Sequence, residues 1–228
     1  MKDLITETLK ANKLFCRLSG DELSEASALF KMQKVAEDEY VFMEGEDSDR
    51  FYLAGKGRVK IVKHTPEGKD VILEIILPPE IFGGIAVLDG RPYPASAQAM
   101  EDVTVLWTEK TTFFELIDRF HVLALEANIY FGERLRNAYD MLRSVSVERV
   151  ERRVASLLIR FGDRVGSKSS GDTIVMEMGL TMQEIAEMVG TTVETAIRIM
   201  NKLKKEGLIS YGKGKTTLYA GLYEKFYK

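Results

Sequence analysis

The sequence predicts an α+β fold in three consecutive parts: a small antiparallel β-roll preceded by short helices, one long helix, and a C-terminal winged helix-turn-helix. Three observations carry that expectation. Short β-prone runs separated by glycines fill residues 34–107. Apolar residues spaced by sevens, fours and threes run through 111–145. A helix–glycine–helix pattern followed by a hairpin signal closes the chain. The parts are assigned to residues 1–110, 111–145 and 146–228.

The first part opens with helical periodicity from Leu4 to Leu29, where Ser19 ahead of Asp21 and Glu22 suits a helix N-cap. Strands are expected at Tyr40–Met43, Arg50–Ala54, Arg58–Lys63, Asp70–Ile76, Ser96–Met100 and Val103–Trp107. Gly45, Gly57, Gly68, Gly83 and Gly90 supply the turns, and the even spacing points to a small barrel or jelly roll. From Thr111 to Val145 there is no proline and one glycine, so a single long helix is expected. Ile117, Ala124, Phe131, Leu135, Ala138, Leu142 and Val145 form a heptad seam for a partner helix, which predicts a homodimer. Leu116, Phe120, Leu123, Ala127 and Tyr130 form a second stripe for the helix's own β domain. A Ser-Val-Ser break, read as a hinge, precedes another helix over 146–162. A Gly/Ser/Lys loop and a short strand at Thr173–Met178 follow.

The last part carries the chemistry. Thr181 and Glu184 have capping-box spacing, Ile185, Ala186 and Val189 form an inner face, and Gly190 ends the first helix. Thr192 caps a second helix that buries Ala196, Ile199, Met200 and Leu203. Val193, Glu194, Ile197 and Arg198 are left on the outward face of its first turns. A helix fits the major groove of B-DNA. There an arginine can bond guanine O6 and N7, a glutamate can accept from cytosine N4, and a valine can touch a thymine methyl. Glu194 and Arg198 are one turn apart and would otherwise form a surface ion pair. Thr181, Gln183, Thr191, Thr192 and Lys202 are assigned to the same face. The Gly-Lys-Gly turn after Tyr211 makes a wing whose Lys213 and Lys215 suit phosphates.

Charge supports the division. The chain carries net −3, but from Ser146 onward 14 Lys+Arg face 10 Asp+Glu, net +4, against 18 and 25 before it, net −7. A lone cysteine, Cys16, excludes an internal disulfide or a four-cysteine metal site and is read as structural. The two histidines, His64 and His121, lack ligand spacing, so no metal site and no enzyme are expected. No signal peptide and no membrane-length apolar run is present, which predicts a cytoplasmic protein that does not engage membranes.

Taken in order, these parts resemble the cyclic-AMP receptor protein and FNR family of bacterial transcription regulators, one member of which serves as a general example of helix-turn-helix docking. The specific residues are Leu180-Thr-Met-Gln-Glu-Ile-Ala, Gly190, Glu194-Thr and Arg198, together with the cassette Ile81-Phe-Gly-Gly-Ile-Ala-Val-Leu88 and Pro94-Ala-Ser-Ala97. The resemblance implies a cyclic-nucleotide-binding-like sensor domain and a partnership with double-stranded DNA and RNA polymerase. Glu194 and Arg198 match the family's base readers, and Val193 matches FNR-like members, implying a TTG-type half-site. The implied effector pocket comprises Phe82, Gly83, Gly84, Ile85, Val87, Leu88, Tyr93, Pro94, Ala95 and Ser96, with Ala138 and Tyr139 from the long helix. Gly84 and Pro94 stand where cyclic-AMP binders have a glutamate and an arginine, so another effector is expected. FNR's N-terminal cysteine cluster is absent. The Pro92–Ala97 run is similar to regulators that respond to nitric oxide, some with haem, which makes haem a candidate cofactor with His64, His121, Cys16 or a methionine as ligand. The alternatives are an uncharged aromatic or other small-molecule effector in an apolar pocket around Ile85, Val87, Leu88 and Tyr93, or an interaction module that does not bind DNA.

Overall fold

The computed structural model describes the chain except Met1, Pro66, Glu67, Lys69, Ser170, Gly171, Lys213, Tyr227 and Lys228. It divides into two compact units, Met1–Asn137 and Ala138–Lys228. Among the described residues no helix is long and apolar enough to cross a membrane.

The first unit starts with α1 (Lys2–Ala11) and α2 (Gly20–Ala28), the latter opened by the predicted Ser19 cap, which forms a full capping box with Glu22. Eight strands follow: β1 (Lys31–Val35), β2 (Tyr40–Phe42), β3 (Arg50–Lys56), β4 (Val59–His64), β5 (Asp70–Ile76), β6 (Ile81–Phe82), β7 (Ser96–Ala99) and β8 (Val103–Glu109). They form two antiparallel sheets, ordered β1-β8-β3-β6 and β2-β7-β4-β5. The two-residue period of β3 explains the layering, because Tyr52 and Ala54 face the core that includes Val59, Phe82, Tyr93 and Ala97. Phe51 and Leu53 face a second core built with the terminal helices and the helices after β8. The sequence reading missed β1 and β6. β1 carries two lysines and only Val35 buried, and it becomes a strand by pairing along its whole length with β8.

Between β6 and β7 lies α3 (Gly84–Asp89), closed by Gly90 in the left-handed conformation. After β8 come α4 (Lys110–Arg119) and α5 (His121–Val147). The single long helix expected from Thr111 is therefore broken at Phe120, whose φ of −115° and ψ of 82° leave helical geometry. Its ring joins Leu116, Leu123 and Ala127 in the second core, so burial of the inner stripe bends a stretch that has no proline or glycine to signal it. At the other end the predicted Ser-Val-Ser break does not occur. Ser146 Oγ donates to the Leu142 carbonyl and Ser144 Oγ to the Glu148 carboxylate, which satisfies both serines inside the helix. The break falls instead at Glu148 and Arg149.

The second unit continues with α6 (Val150–Val165), β9 (Ser167–Lys168), β10 (Ile174–Met176), α7 (Met182–Val189), α8 (Val193–Lys205), β11 (Ile209–Gly212), β12 (Lys215–Leu218) and α9 (Ala220–Phe226). Its sheet is ordered β11-β12-β10-β9, which puts the wing strands beside the strand expected near Thr173. β9 lies in the segment read as loop.

Candidate nucleic-acid interface and sensor cassette

α7 and α8 form where local chemistry demands. Thr181 Oγ1 accepts from the Glu184 amide at 3.1 Å, and the Thr181 amide donates to the Glu184 carboxylate at 2.6 Å. Gly190 closes α7 at φ +66°, and nothing lies within 4 Å of where its Cβ would be. The residue is therefore needed for its backbone conformation and not for close packing. Thr192 Oγ1 accepts from the Thr195 amide at 3.3 Å to open α8. Ile185, Ala186 and Val189 are buried against Ala196, Ile199, Met200 and Leu203. Thr181→Ala is expected to cost about 1 kcal/mol of stability through the lost cap, readable as a lower urea midpoint; an unchanged midpoint would show the cap to be idle.

On the outward face Val193 is half-buried while Glu194, Ile197 and Arg198 are exposed. Glu194 and Arg198 do not pair with each other. The Glu194 carboxyl is held below the usual range by its own backbone N–H and by the Thr192 hydroxyl, so it is an ionised acceptor at neutral pH. The Arg198 side chain makes no hydrogen bond or ion pair among the described residues, leaving its fork of donors open.

The other assigned residues divide. Thr181 and Thr192 act as caps, Thr191 is half-buried, and Gln183 donates to Glu187. Lys202, assigned to the DNA face, is bound instead to Glu151 of α6 at 2.6 Å, a hydrogen bond that raises its pKa. Lys215 Nζ holds Glu177 at 2.6 Å, and Lys213 lies outside the described residues. Three supports escaped the sequence reading. Arg153 donates to the Gly190 carbonyl at 3.4 Å, Tyr211 donates to Asn201 at 2.9 Å, and Lys204 lies 5.0 Å over the Tyr211 ring, tying the wing to α8.

In the first unit the cassette residues do not converge on one open apolar pocket. Tyr93 and Phe82 are buried, and the Tyr93 ring stacks on Phe42 with centroids 3.8 Å apart, beside Tyr52 and Phe82. Its hydroxyl donates to the Arg50 carbonyl at 2.7 Å, and burial raises its pKa. Ala95 and Ser96 are buried with them, and Ser96 Oγ accepts from the Glu44 amide. Val87 points into the other core, while Ile85 and Leu88 are exposed, because a one-and-a-half-turn helix spreads its side chains around its axis. Gly83, at φ +72°, presses on Phe42 and Tyr93. A Cβ on Gly84 would meet Phe51 at 3.2 Å and Phe131 at 3.3 Å. Pro94 is exposed, and its carbonyl accepts from Lys63, whose ammonium also holds Glu44 at 2.8 Å.

The contact at Gly84 corrects the seam on α5. Phe131 is half-buried on its own unit's core and Ala124 is half-buried, so neither heads an open stripe. Leu125 and Ile129 are the exposed apolar residues of that part. Farther along, Leu135 (53%), Leu142 (65%) and Val145 (50%) are exposed as the heptad pattern requires, as are Ala138 and Tyr139.

The candidate haem ligands fit poorly. Both ring nitrogens of His64 are engaged, Nδ1 with Asp70 at 2.7 Å and Nε2 with the Tyr40 hydroxyl at 3.3 Å. His121 is exposed at the start of α5. Cys16, read as structural, is exposed with its thiol on the Lys13 carbonyl. Among the described residues no cluster of three or more His, Cys, Asp or Glu could hold a metal.

Residues 32–120 match the cyclic nucleotide-binding domain, and residues 152–219 match the Crp-like helix-turn-helix domain. Together these define a DNA-binding transcription regulator with a cyclic-nucleotide-type sensor domain. The chain belongs to the CRP/FNR family of transcription regulators. It is 27% identical over 210 residues to the cyclic AMP receptor protein of Thermus thermophilus, covering 90% of this chain and 92% of that protein. It is 28% identical over 194 residues to the anaerobic regulatory protein of Bacillus subtilis, covering 85% and 81%. Among solved structures, a CooA mutant from Carboxydothermus hydrogenoformans superposes with TM-score 0.74 at 25% identity, covering 91% and 89% of the two chains. FixK2 of Bradyrhizobium japonicum shares the fold, with TM-score 0.76 at 21% identity over 86% of this chain and 96% of that one.

Proposed function

We propose that the protein binds a palindromic, TTG-type site as a homodimer, with Glu194 and Arg198 of each α8 reading base edges and Val193 against a thymine methyl. In this reading residues 1–110 sense, 111–145 dimerise and 146–228 bind DNA in the cytoplasm, where RNA polymerase is the partner. The observation that carries it is an exposed Arg198, without a side-chain partner among the described residues, on the same outward face of α8 as an ionised Glu194. Lys215 exchanges Glu177 for a phosphate on binding and adds affinity without sequence preference.

The effector is not cyclic AMP. Gly84 offers no side chain to a ribose, and a Cβ there would crowd Phe51 at 3.2 Å and Phe131 at 3.3 Å; Pro94 offers neither a charge nor an N–H. The cation at Pro94, Lys63, is already neutralised by Glu44. Losing one charge-assisted hydrogen bond to the phosphate costs about 1.5 to 3 kcal/mol, roughly one to two orders of magnitude in affinity. The Phe42–Tyr52–Phe82–Tyr93 group favours an uncharged aromatic effector that displaces the Tyr93 ring, over a haem or a gas carried by one.

The test is a gel shift with a TTG-type palindrome and a scrambled duplex, with and without cyclic AMP. Preference for the palindrome that cyclic AMP leaves unchanged is expected. Equal binding to both duplexes would overturn base reading, and cyclic AMP enhancement at micromolar concentration would overturn the effector assignment.

A further inference from the structure

We propose that Ile197 makes α8 a reader of the C5 methyl group of a pyrimidine, so that one thymine in each half-site is chosen over any pyrimidine that lacks the methyl. This role rests on the reading of α8 as the helix that enters the major groove. It adds to Glu194 and Arg198 a specificity-determining residue of the opposite chemistry.

The interior of α8 is complete without Ile197. Ala196, Ile199, Met200 and Leu203 are the side chains that the helix buries in its own unit, each at 6% exposure or less, whereas Ile197 is 41% exposed. A single exposed apolar residue is ordinary on a protein surface, so exposure alone decides nothing. Position decides. Residues four apart share a helix face, so Val193 and Ile197 form an apolar row beside the polar row of Glu194 and Arg198. One turn farther on, the carboxamide oxygen of Asn201 accepts from the Tyr211 hydroxyl at 2.9 Å, and the apolar row ends there. Isoleucine is also a poor choice for an exposed helix position on local grounds. Its branched Cβ loses rotamer freedom in a helix, and a lysine or glutamate would suit both helix and water better.

The two rows read different things. Hydrogen bonds from Glu194 and Arg198 sort donors from acceptors on the base edges, but uracil offers the same O4 acceptor as thymine and differs only at C5. Only an apolar contact detects that methyl, which is wetted in free DNA and dry once covered. The branched tip of Ile197 is uncharged and reaches outward from the face that holds both base-reading charges. Such a contact neutralises no phosphate, so it changes affinity without changing the salt slope. A cytosine methylated at C5 presents the same group at the same place in the groove, and the row should favour it over plain cytosine.

The experiment uses the intact protein and the duplex that it selects from a random pool. Thymines are replaced by uracil one symmetric position at a time, guanines by 7-deazaguanine, and affinity is read by fluorescence anisotropy. For wild type, one uracil position should lower affinity roughly fourfold per half-site, the worth of one buried methyl, and so about fifteenfold for the symmetric pair, with an unchanged salt slope. Ile197→Ala should bind the thymine and uracil duplexes alike at that position, while Val193→Ala keeps the discrimination there. At the same position 5-methylcytosine should bind wild type more tightly than cytosine does, and Ile197→Ala should not tell them apart. Ile197→Val, which keeps a branched apolar tip, should retain most of the effect, and it is read in place of the alanine variant should that one unfold. The role is overturned if no uracil replacement weakens wild type, or if Ile197→Ala keeps wild-type sensitivity at every position. The 7-deazaguanine series reports on Arg198 alone, because it removes N7 and leaves every methyl in place. No loss there would sink the guanine contact and leave the uracil result standing.

Discussion

Leu135→Glu/Leu142→Glu is expected to turn the protein into a monomer in sedimentation and to weaken binding to a palindromic duplex by two to four orders of magnitude. Both leucines are more than half exposed on α5, so the substitution leaves each chain's own cores intact. Covering the exposed half of four leucines in a dimer contributes roughly 3 to 6 kcal/mol, taking about 1.5 to 3 kcal/mol for a fully buried leucine. Four carboxylates in their place would be desolvated without partners and would repel one another. The effect on DNA binding follows from the dimer itself, because its second half-site binds at the effective concentration set by the first, worth about 10² to 10⁴ in affinity. A variant that stays dimeric with unchanged affinity would show that the stripe is not the seam. Thermal unfolding separates this from simple misfolding, since only the dimer's concentration-dependent share of stability should disappear.

The contrast between the two ends of α5 shows what the sequence could reveal. The heptad spacing through Leu135, Ala138, Leu142 and Val145 is local and reads directly as an open stripe. Phe131 obeys the same spacing, yet its ring lies over Gly84, a contact across 47 positions of chain that a Cβ at Gly84 would crowd at 3.3 Å. The helix-turn-helix was legible to the residue because its determinants lie within four positions of one another: Thr181 with Glu184, Gly190 after Val189, and Thr192 with Thr195. The ion pair of Lys202 was not legible, because its partner Glu151 is 51 residues earlier. The directions of the cassette side chains were not legible either. Composition around Ile85, Val87, Leu88 and Tyr93 is apolar, but direction is set by tertiary packing, which sends Val87 into one core, Tyr93 into the other, and Ile85 and Leu88 to the surface.

Arg198→Ala should cost about 1 to 3 kcal/mol on a palindromic site, roughly a fivefold to 150-fold loss, and should relax preference at one base pair per half-site. The structure makes this variant clean to interpret. Arg198 is exposed and its side chain has no partner among the described residues, so its removal breaks no interaction that holds α8, and stability should stay within about 0.5 kcal/mol of wild type. Lys215→Ala supplies the contrast. It should weaken specific and random DNA alike and make the salt slope shallower by about one unit, because a phosphate contact carries no base information. Its effect on DNA is reduced by the Glu177 ion pair that wild-type Lys215 gives up on binding. Glu194 lies between these cases. Its carboxylate is already engaged by the amide end of α8 and by Thr192, so part of its acceptor capacity is spent before DNA arrives. Glu194→Gln should therefore change which base is preferred more than it changes affinity. A competition assay over all four bases at each half-site position separates the three variants. Equal losses for Arg198→Ala on specific and random duplexes would make Arg198 a phosphate contact and remove it from base reading.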